Sequence, residues 1–243
     1  MVQSQLNVST RICKQRGNFM NPDVNASNFQ PRPLPRRACL EGKFCRPEPL
    51  DALRHGDQLY SASMAPGAEE RFRYLFEVPQ DRDTFNVWLS AAALSEDPMF
   101  FAVLDSATDR CEGRQALMRI TPEHGVIEIG SILWGPAIAR TRAATEALFL
   151  FARYVFDELG YRRFEWKCIA RNEPSIRAAR RFGFAYEGTF RQHMVIKGES
   201  RDTAWFAMTD GEWPQIRSAF EQWLEPRNFD PQGQQLVRLE ARR

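Results

Sequence analysis

Two stretches carry the side chains and backbone groups best suited to chemistry. Residues 126–147 read Val-Ile-Glu-Ile-Gly-Ser-Ile-Leu-Trp-Gly-Pro-Ala-Ile-Ala-Arg-Thr-Arg-Ala-Ala-Thr-Glu-Ala. The pattern predicts a strand, a turn of small residues and the opening of a long helix. The first amides of a helix lack an intrahelical acceptor, and the helix dipole adds positive potential there. Such a turn suits a phosphate-bearing ligand, although water fills the role at most helix starts. Residues 166–191 predict a second strand, then Asn172-x-x-Ser175, a short helix with Arg177, Arg180 and Arg181, and Gly183-Phe184-x-x-Glu187-Gly188. Here an amide and a hydroxyl meet at another helix start.

Other reactive types are scattered. Cys13, Cys39, Cys45, Cys111 and Cys168 form no C-x-x-C pair, and His55, His124 and His193 are dispersed among them, so no metal site is expected. The cysteines read as reduced thiols of a cytoplasmic protein. Cys168, within a strand, reads as buried and inert rather than as an acyl-carrying nucleophile. His124 lies in a turn and reads as a surface residue. Trp205, Trp213 and Trp223 read as core.

The elements that must position these groups follow from periodicity. Residues 40–44, ending at Pro47 and Pro49, read as a short edge strand. Asp51 reads as the N-cap of a helix, residues 62–80 as loop, and a second helix begins at Asp83. Strands are expected over 99–104, 114–121 and 126–133, as an antiparallel meander. Residues 140–158 give the longest helical signal, with Gly160 at its C′ position. A strand over 162–170, a helix over 173–182, and strands over 184–190, 194–197 and 203–208 follow. Asp210 reads as the cap of a last amphipathic helix.

The chain has 243 residues and a net charge of +2. Its hydrophobic content of 43% excludes a disordered chain, and its length suffices for one large domain or two small ones. No apolar run reaches the ~18–20 residues that cross a bilayer, and the first twenty residues lack an apolar signal core. The net charge hides a division: residues 1–46 carry +6 and the remainder −4. Residues 1–37, with Pro31, Pro33 and Pro35 alternating, read as a disordered basic arm. With few aromatics, that arm makes a poor nucleic-acid ligand.

In order and wording the two stretches resemble the GNAT N-acetyltransferase family, and within it the RimJ/RimL-like branch. The matching residues are Glu128-Ile129-Gly130, Ala144-Thr145-Glu146-Ala147, Asn172, Ser175, Gly183-Phe184 and Glu187-Gly188. The resemblance implies an α/β GNAT fold: a twisted, mixed, mostly antiparallel sheet with splayed central strands and flanking helices. It places that domain over residues 38–230, leaving 231–243 as a C-terminal tail. It implies acetyl-CoA as co-substrate, a primary amine as acceptor, direct attack in a ternary complex and no metal. Its pyrophosphate would lie on the amides of Arg140, Thr141, Arg142, Ala143, Ala144 and Thr145. Its pantetheine would run along Ile129, Ser131 and Ile132 and touch Asn172, with Ser175 near the thiol. Arg180 and Arg181 could meet the nucleotide end, or form a solvated face with Arg177. Glu128 would take the amine proton through water; otherwise it faces solvent or pairs with a basic residue. Ser175 would serve as the thiolate acid. Trp134 and His193 would border the acceptor.

Two departures stand out. The family's phosphate loop has glycine where Arg142 falls and Gln or Arg where Ala139 falls. Ala179 takes the place of a tyrosine that many relatives use as the acid. Two other functions therefore stay open: detoxification of a toxic small amine, and non-catalytic acyl-CoA binding. The sequence leaves monomer and homodimer equally open.

Overall fold

The computed structural model describes residues 28–241. The expected disorder of the arm therefore lies, over residues 1–27, outside the described residues. A compact unit begins at Pro31. The alternating prolines assigned to the arm belong to it. Tyr161 Oη donates to the Pro33 carbonyl at 3.2 Å, and Arg36 N donates to Tyr154 Oη at 2.7 Å.

Seven strands form one sheet: β1 (Cys45–Pro49), β2 (Met99–Asp105), β3 (Arg110–Thr121), β4 (Val126–Trp134), β5 (Arg163–Ile169), β6 (Ala185–Ile196) and β7 (Glu199–Thr209). Their order is β1-β2-β3-β4-β5-β7-β6. Only β4 and β5 pair in parallel. A parallel pair needs a crossover, which helix α4 supplies after β4. The helices are α1 (Ala52–Met64), α2 (Ala68–Phe72), α3 (Arg82–Leu94), α4 (Arg142–Arg153), α5 (Glu173–Arg181) and α6 (Trp213–Leu224).

Several boundaries differ from expectation, each for a local reason. The edge strand is β1, which contains the two prolines thought to end it. Pro47 turns its carbonyl outward to Leu40 N, 2.8 Å away, so its missing N–H costs the ladder with β2 nothing. The loop expected over 62–80 contains the end of α1 and all of α2. Asp51 does cap α1, accepting from Leu53 N and Arg54 N. Residues 140–158 divide into α4 and a π turn at Tyr154–Glu158. The strands expected over 184–190 and 194–197 are the single strand β6, kinked where its register with β7 shifts between Phe190 and Met194. The cap of α6 is Glu212, not Asp210; the Glu212 carboxylate turns back to Thr209 N and Oγ1.

Alternation along the strands separates two cores. One sheet face sends Ile127, Ile129, Phe164, Trp166 and Phe206 under α4, α5 and α6, against Leu148, Phe151, Ala179 and Phe220. The other face, on β2 and β3 only, sends Phe100, Ala102, Leu104 and Ala116 under α1 and α3, against Leu59, Phe85 and Leu89. That second core contains no residue of β5, β6 or β7. The same face of β4, β5 and β7 instead carries Glu128, Glu165, Lys167, Thr203 and Trp205. The expected tail packs against the body: Leu239 and Ala241 are buried in the main core, and Asn228 bonds both ways with the backbone of Val237.

Candidate active site

Parallel pairing of β4 with β5 runs only from Val126 opposite Arg163 to Ile129 opposite Trp166. Beyond it the strands part. The cause lies in β4, where Ser131 takes a left-handed φ of 51° and the register with β3 slips between Arg114 and Ala116. One extra residue bends the strand away from its neighbour. Arg114, fully buried on β3, holds the bend. Its Nη1 donates to the Ser131 carbonyl at 3.0 Å and to Ser131 Oγ at 2.7 Å, and its Nη2 donates to Glu77 at 3.0 Å. Its guanidinium also lies 4.5 Å from the Trp88 ring centre. Ser131, expected along the pantetheine, thus spends its polar groups on the bend. Ile129 is core and stands in register with both neighbouring strands. The backbone edge that faces the gap is therefore 130–134.

At the mouth of the gap stands the first turn of α4. Thr141 is the N-cap, in extended geometry, yet its hydroxyl bonds to the Ile138 carbonyl at 2.7 Å and caps nothing. The first amides of α4, on Arg142, Ala143 and Ala144, have no side-chain cap. The left-handed residue of this turn is Arg140, at φ 65°. Arg142 is the first helical residue, so arginine in place of the family's glycine fits without strain. Its guanidinium packs over Phe44 and Phe229, at 4.5 and 5.1 Å. Arg181, not Arg180, reaches this turn: it donates to Thr145 Oγ1 at 3.1 Å and covers Trp223. Arg180 is exposed, and Arg177 pairs loosely with Glu173 on the solvent side. Glu146 is structural. Its carboxylate accepts from Lys43 N, Phe44 N and Cys45 N and ties the segment before β1 to α4.

On the far wall, Asn172 caps α5 through Ser175 N at 3.2 Å. Ser175 Oγ accepts from Trp166 Nε1 at 2.9 Å and lies against Cys168, one residue past Lys167 on β5. Ala179 is fully buried, so its position offers no proton.

Glu128 ends at the inner edge of the gap, on the uncovered face. It is buried, with Lys167 Nζ at 2.9 Å and Arg119 Nη1 at 2.8 Å. Burial lifts its carboxyl above the usual glutamate range, while the two cations hold it back. Lys167 also meets Glu165 at 2.6 Å and sits 3.9 Å from the Trp205 ring centre. Burial acts on Glu165 too, but Lys167 and Arg163 outweigh it and draw that carboxyl below its ordinary value. Trp205, expected in the core, is half-buried and forms part of this site, its ring tilted against Phe190 with centroids 4.6 Å apart. His193 Nδ1 lies 3.0 Å from Thr203 Oγ1, with its ring beside Trp205. Trp134 packs on the main core, away from this cluster. His124 is exposed.

Two depressions flank the end of β5. One, of about 960 Å³, is lined by residues including Arg171, Arg191, Gln192 and Asp202. The other, of about 270 Å³, lies between the loop at Arg73, Tyr74 and Leu75 and the hairpin at Lys197 and Glu199. Sequence reading missed Lys167, Arg119 and Arg201 as site residues, and left Arg181 open beside Arg180. The alternation Arg163-Phe164-Glu165-Trp166-Lys167 is a signal for one charged strand face. Nothing local in the sequence says that Glu128 lies beside it. Among the described residues no three His, Cys, Asp or Glu side chains gather as a metal site, and no helix is long and apolar enough to cross a membrane.

Comparison with known proteins bears on the family and the fold. Residues 50–185 match the family model of the acetyltransferase (GNAT) domain. A GCN5-related N-acetyltransferase from Brucella melitensis is 58% identical and superposes with a TM-score of 0.87, covering 88% of this chain and 97% of its own. A probable GNAT-family acetyltransferase from Chromobacterium violaceum is 37% identical with a TM-score of 0.71, over 87% of this chain and all of the other. A prophage-derived N-acetyltransferase of Bacillus subtilis, YokL, is 34% identical over 70 residues, which span 29% of this chain and 40% of that protein. By family match and by fold, the chain belongs to the GNAT acetyltransferase family.

Proposed function

We propose that the protein transfers an acetyl group from acetyl-CoA to a primary amine by direct attack in a ternary complex. The observation that carries this reading is the gap between β4 and β5, with uncapped helix amides at its mouth and a buried carboxylate at its inner edge. A thioester supplies the activated acetyl group. The first amides of α4, with Arg181 beside them, would hold the pyrophosphate. The free edge at 130–134 would pair with the pantetheine amides. Asn172 is already committed to its cap, so Ser175 and the α5 start would border the thiol end. Glu128 would accept the amine proton, directly or through one water, and its raised proton affinity suits that role. Lys167 would keep Glu128 oriented and partly ionised. Ser175 is the hydroxyl nearest the leaving thiolate. The acceptor is a protein or peptide N-terminus, as in the RimJ/RimL-like branch, or a small amine. The buried thiols, with Cys111 pushed up to about 12 by burial, fit a reducing cytoplasm.

The test is thiol release from acetyl-CoA against a panel of amines and N-terminal peptides, alongside calorimetry of acetyl-CoA binding. Wild type should bind and turn over. Glu128→Gln should bind as tightly and lose on the order of 100-fold or more in kcat. Binding without turnover on any acceptor would instead establish a non-catalytic acyl-CoA module, and no binding would sink both readings.

A further inference from the structure

Arg201 lies on the same face of β7 as Thr203 and Trp205, two and four residues along the strand. It is only 9% exposed. Its Nε donates to Thr203 Oγ1 at 3.1 Å, which folds the side chain back along β7 toward Trp205, Lys167 and Glu128. Its guanidinium faces the Phe76 ring at 5.6 Å, so the loop before α3 covers it. The Glu128 carboxylate and the Arg119 guanidinium lie within electrostatic reach. Among the described residues no carboxylate lies within 4.0 Å of Arg201. The cations nearest it on the sheet are paired. Arg119 and Lys167 share Glu128, Lys167 and Arg163 share Glu165, and Arg163 also holds Glu187. Arg171 is taken by Glu199. Arg201 is left without a carboxylate, beside the proposed base. A partly desolvated cation without a counter-ion is costly, and burial already depresses its proton affinity.

We infer that Arg201 receives a carboxylate of the acceptor, so that the acceptor is an amine that also bears a carboxylate, of the compact size of an amino acid or a dipeptide. The Nη1 and Nη2 atoms make no hydrogen bond to the described residues and form the planar fork that a carboxylate matches with two parallel bonds. Thr203 sets the fork by holding Nε, and the Phe76 ring closes it from above. An acceptor anchored there would present its amine toward Glu128. This inference rests on the acetyl-transfer reading.

The experiment is a thiol-release assay with acetyl-CoA and matched acceptor pairs: amino acids and dipeptides, each beside its own carboxamide, with phosphoethanolamine as the phosphate arm. For the best acceptor, wild type should favour the free acid over the amide by at least 10-fold in kcat/KM, mostly through KM. Arg201→Gln should bring that ratio to about one, and Arg201→Lys should restore part of it. The wild-type ratio is decisive even if a variant does not fold. Equal turnover of acids and amides, or a preference for phosphoethanolamine, would overturn the carboxylate assignment while leaving acetyl transfer intact. Turnover of no acceptor at all would remove the acetyl-transfer reading and this inference with it.

Discussion

Glu128 feels two opposing effects of similar kind, burial that favours its neutral form and two cations that favour its ionised form. Burial prevails, so the carboxyl titrates above its ordinary range. Catalysis by the carboxylate then requires a pH above that raised value, and kcat should climb with pH through it. Lys167→Met removes one of the two cations, which raises the carboxyl further. The acid limb of the pH–rate profile should therefore move to higher pH, and a limb that stays in place would exclude Glu128 as the base. The stability effect has the opposite sense. A native carboxyl with a raised pKa binds more protons than the unfolded chain, so stability falls as pH rises from the ordinary glutamate value to the raised one. Glu128→Gln should flatten that part of a melting-temperature profile. His55 provides a contrast at this scale. Its Nδ1 accepts from Asp51 N at 3.0 Å and burial lowers its pKa, so it stays neutral beside Glu48. It is a structural imidazole in the first turn of α1.

At the scale of elements, the start of α4 is informative because it lacks what most helix starts have. Thr141 has the residue type and the extended backbone of an N-cap but directs its hydroxyl to Ile138. Thr141→Asp should cap the helix and raise stability by about 0.5–1 kcal/mol. The same carboxylate would occupy the amides and repel a pyrophosphate. Acetyl-CoA affinity should fall at least 10-fold by calorimetry while the melting temperature rises. Affinity that does not change would place the pyrophosphate elsewhere. The contrast with α1 and α3 supports this reading, since Asp51 and Asp81 cap those helices conventionally. The sequence already singled out this turn as one that suits a phosphate, because small residues followed by helical periodicity are a local pattern. It left open which backbone position of the turn is special. Left-handed geometry falls on Arg140, a choice set by how the 135–141 turn must climb from β4 to α4.

At the scale of the molecule, Arg114 joins three parts of the fold: the bend in β4, the loop before α3 through Glu77, and the core through Trp88. The wall of the gap and the cover over Arg201 therefore hang from one buried cation. Arg114→Met would leave the Glu77 carboxylate without its cation and the Ser131 carbonyl without its donor. Stability should drop by about 3–5 kcal/mol, read from urea unfolding. Adding Glu77→Gln should recover more than 1 kcal/mol of that, roughly the coupling expected of contacting charges. Strict additivity of the two changes would show that the pair is not coupled.

The amino-acid order alone determined the succession of strands and helices from residue 99 to the start of β6, the turn of small residues that opens α4, and the presence of Glu128 on the strand before it. Those are local properties: a period of two or 3.6, a capping residue, a turn composition. Only the tertiary structure decided what Glu128 meets. Lys167 reaches it because β4 and β5 pair in parallel and in register at Glu128 and Glu165, and Arg119 reaches it across β3. It likewise decided that Ser131 bends the strand, that Arg181 rather than Arg180 turns inward, and that Arg201 is left without a carboxylate. Periodicity tells which face of a strand a side chain occupies. Register and crossover, which join residues tens of positions apart, decide which charges share that face.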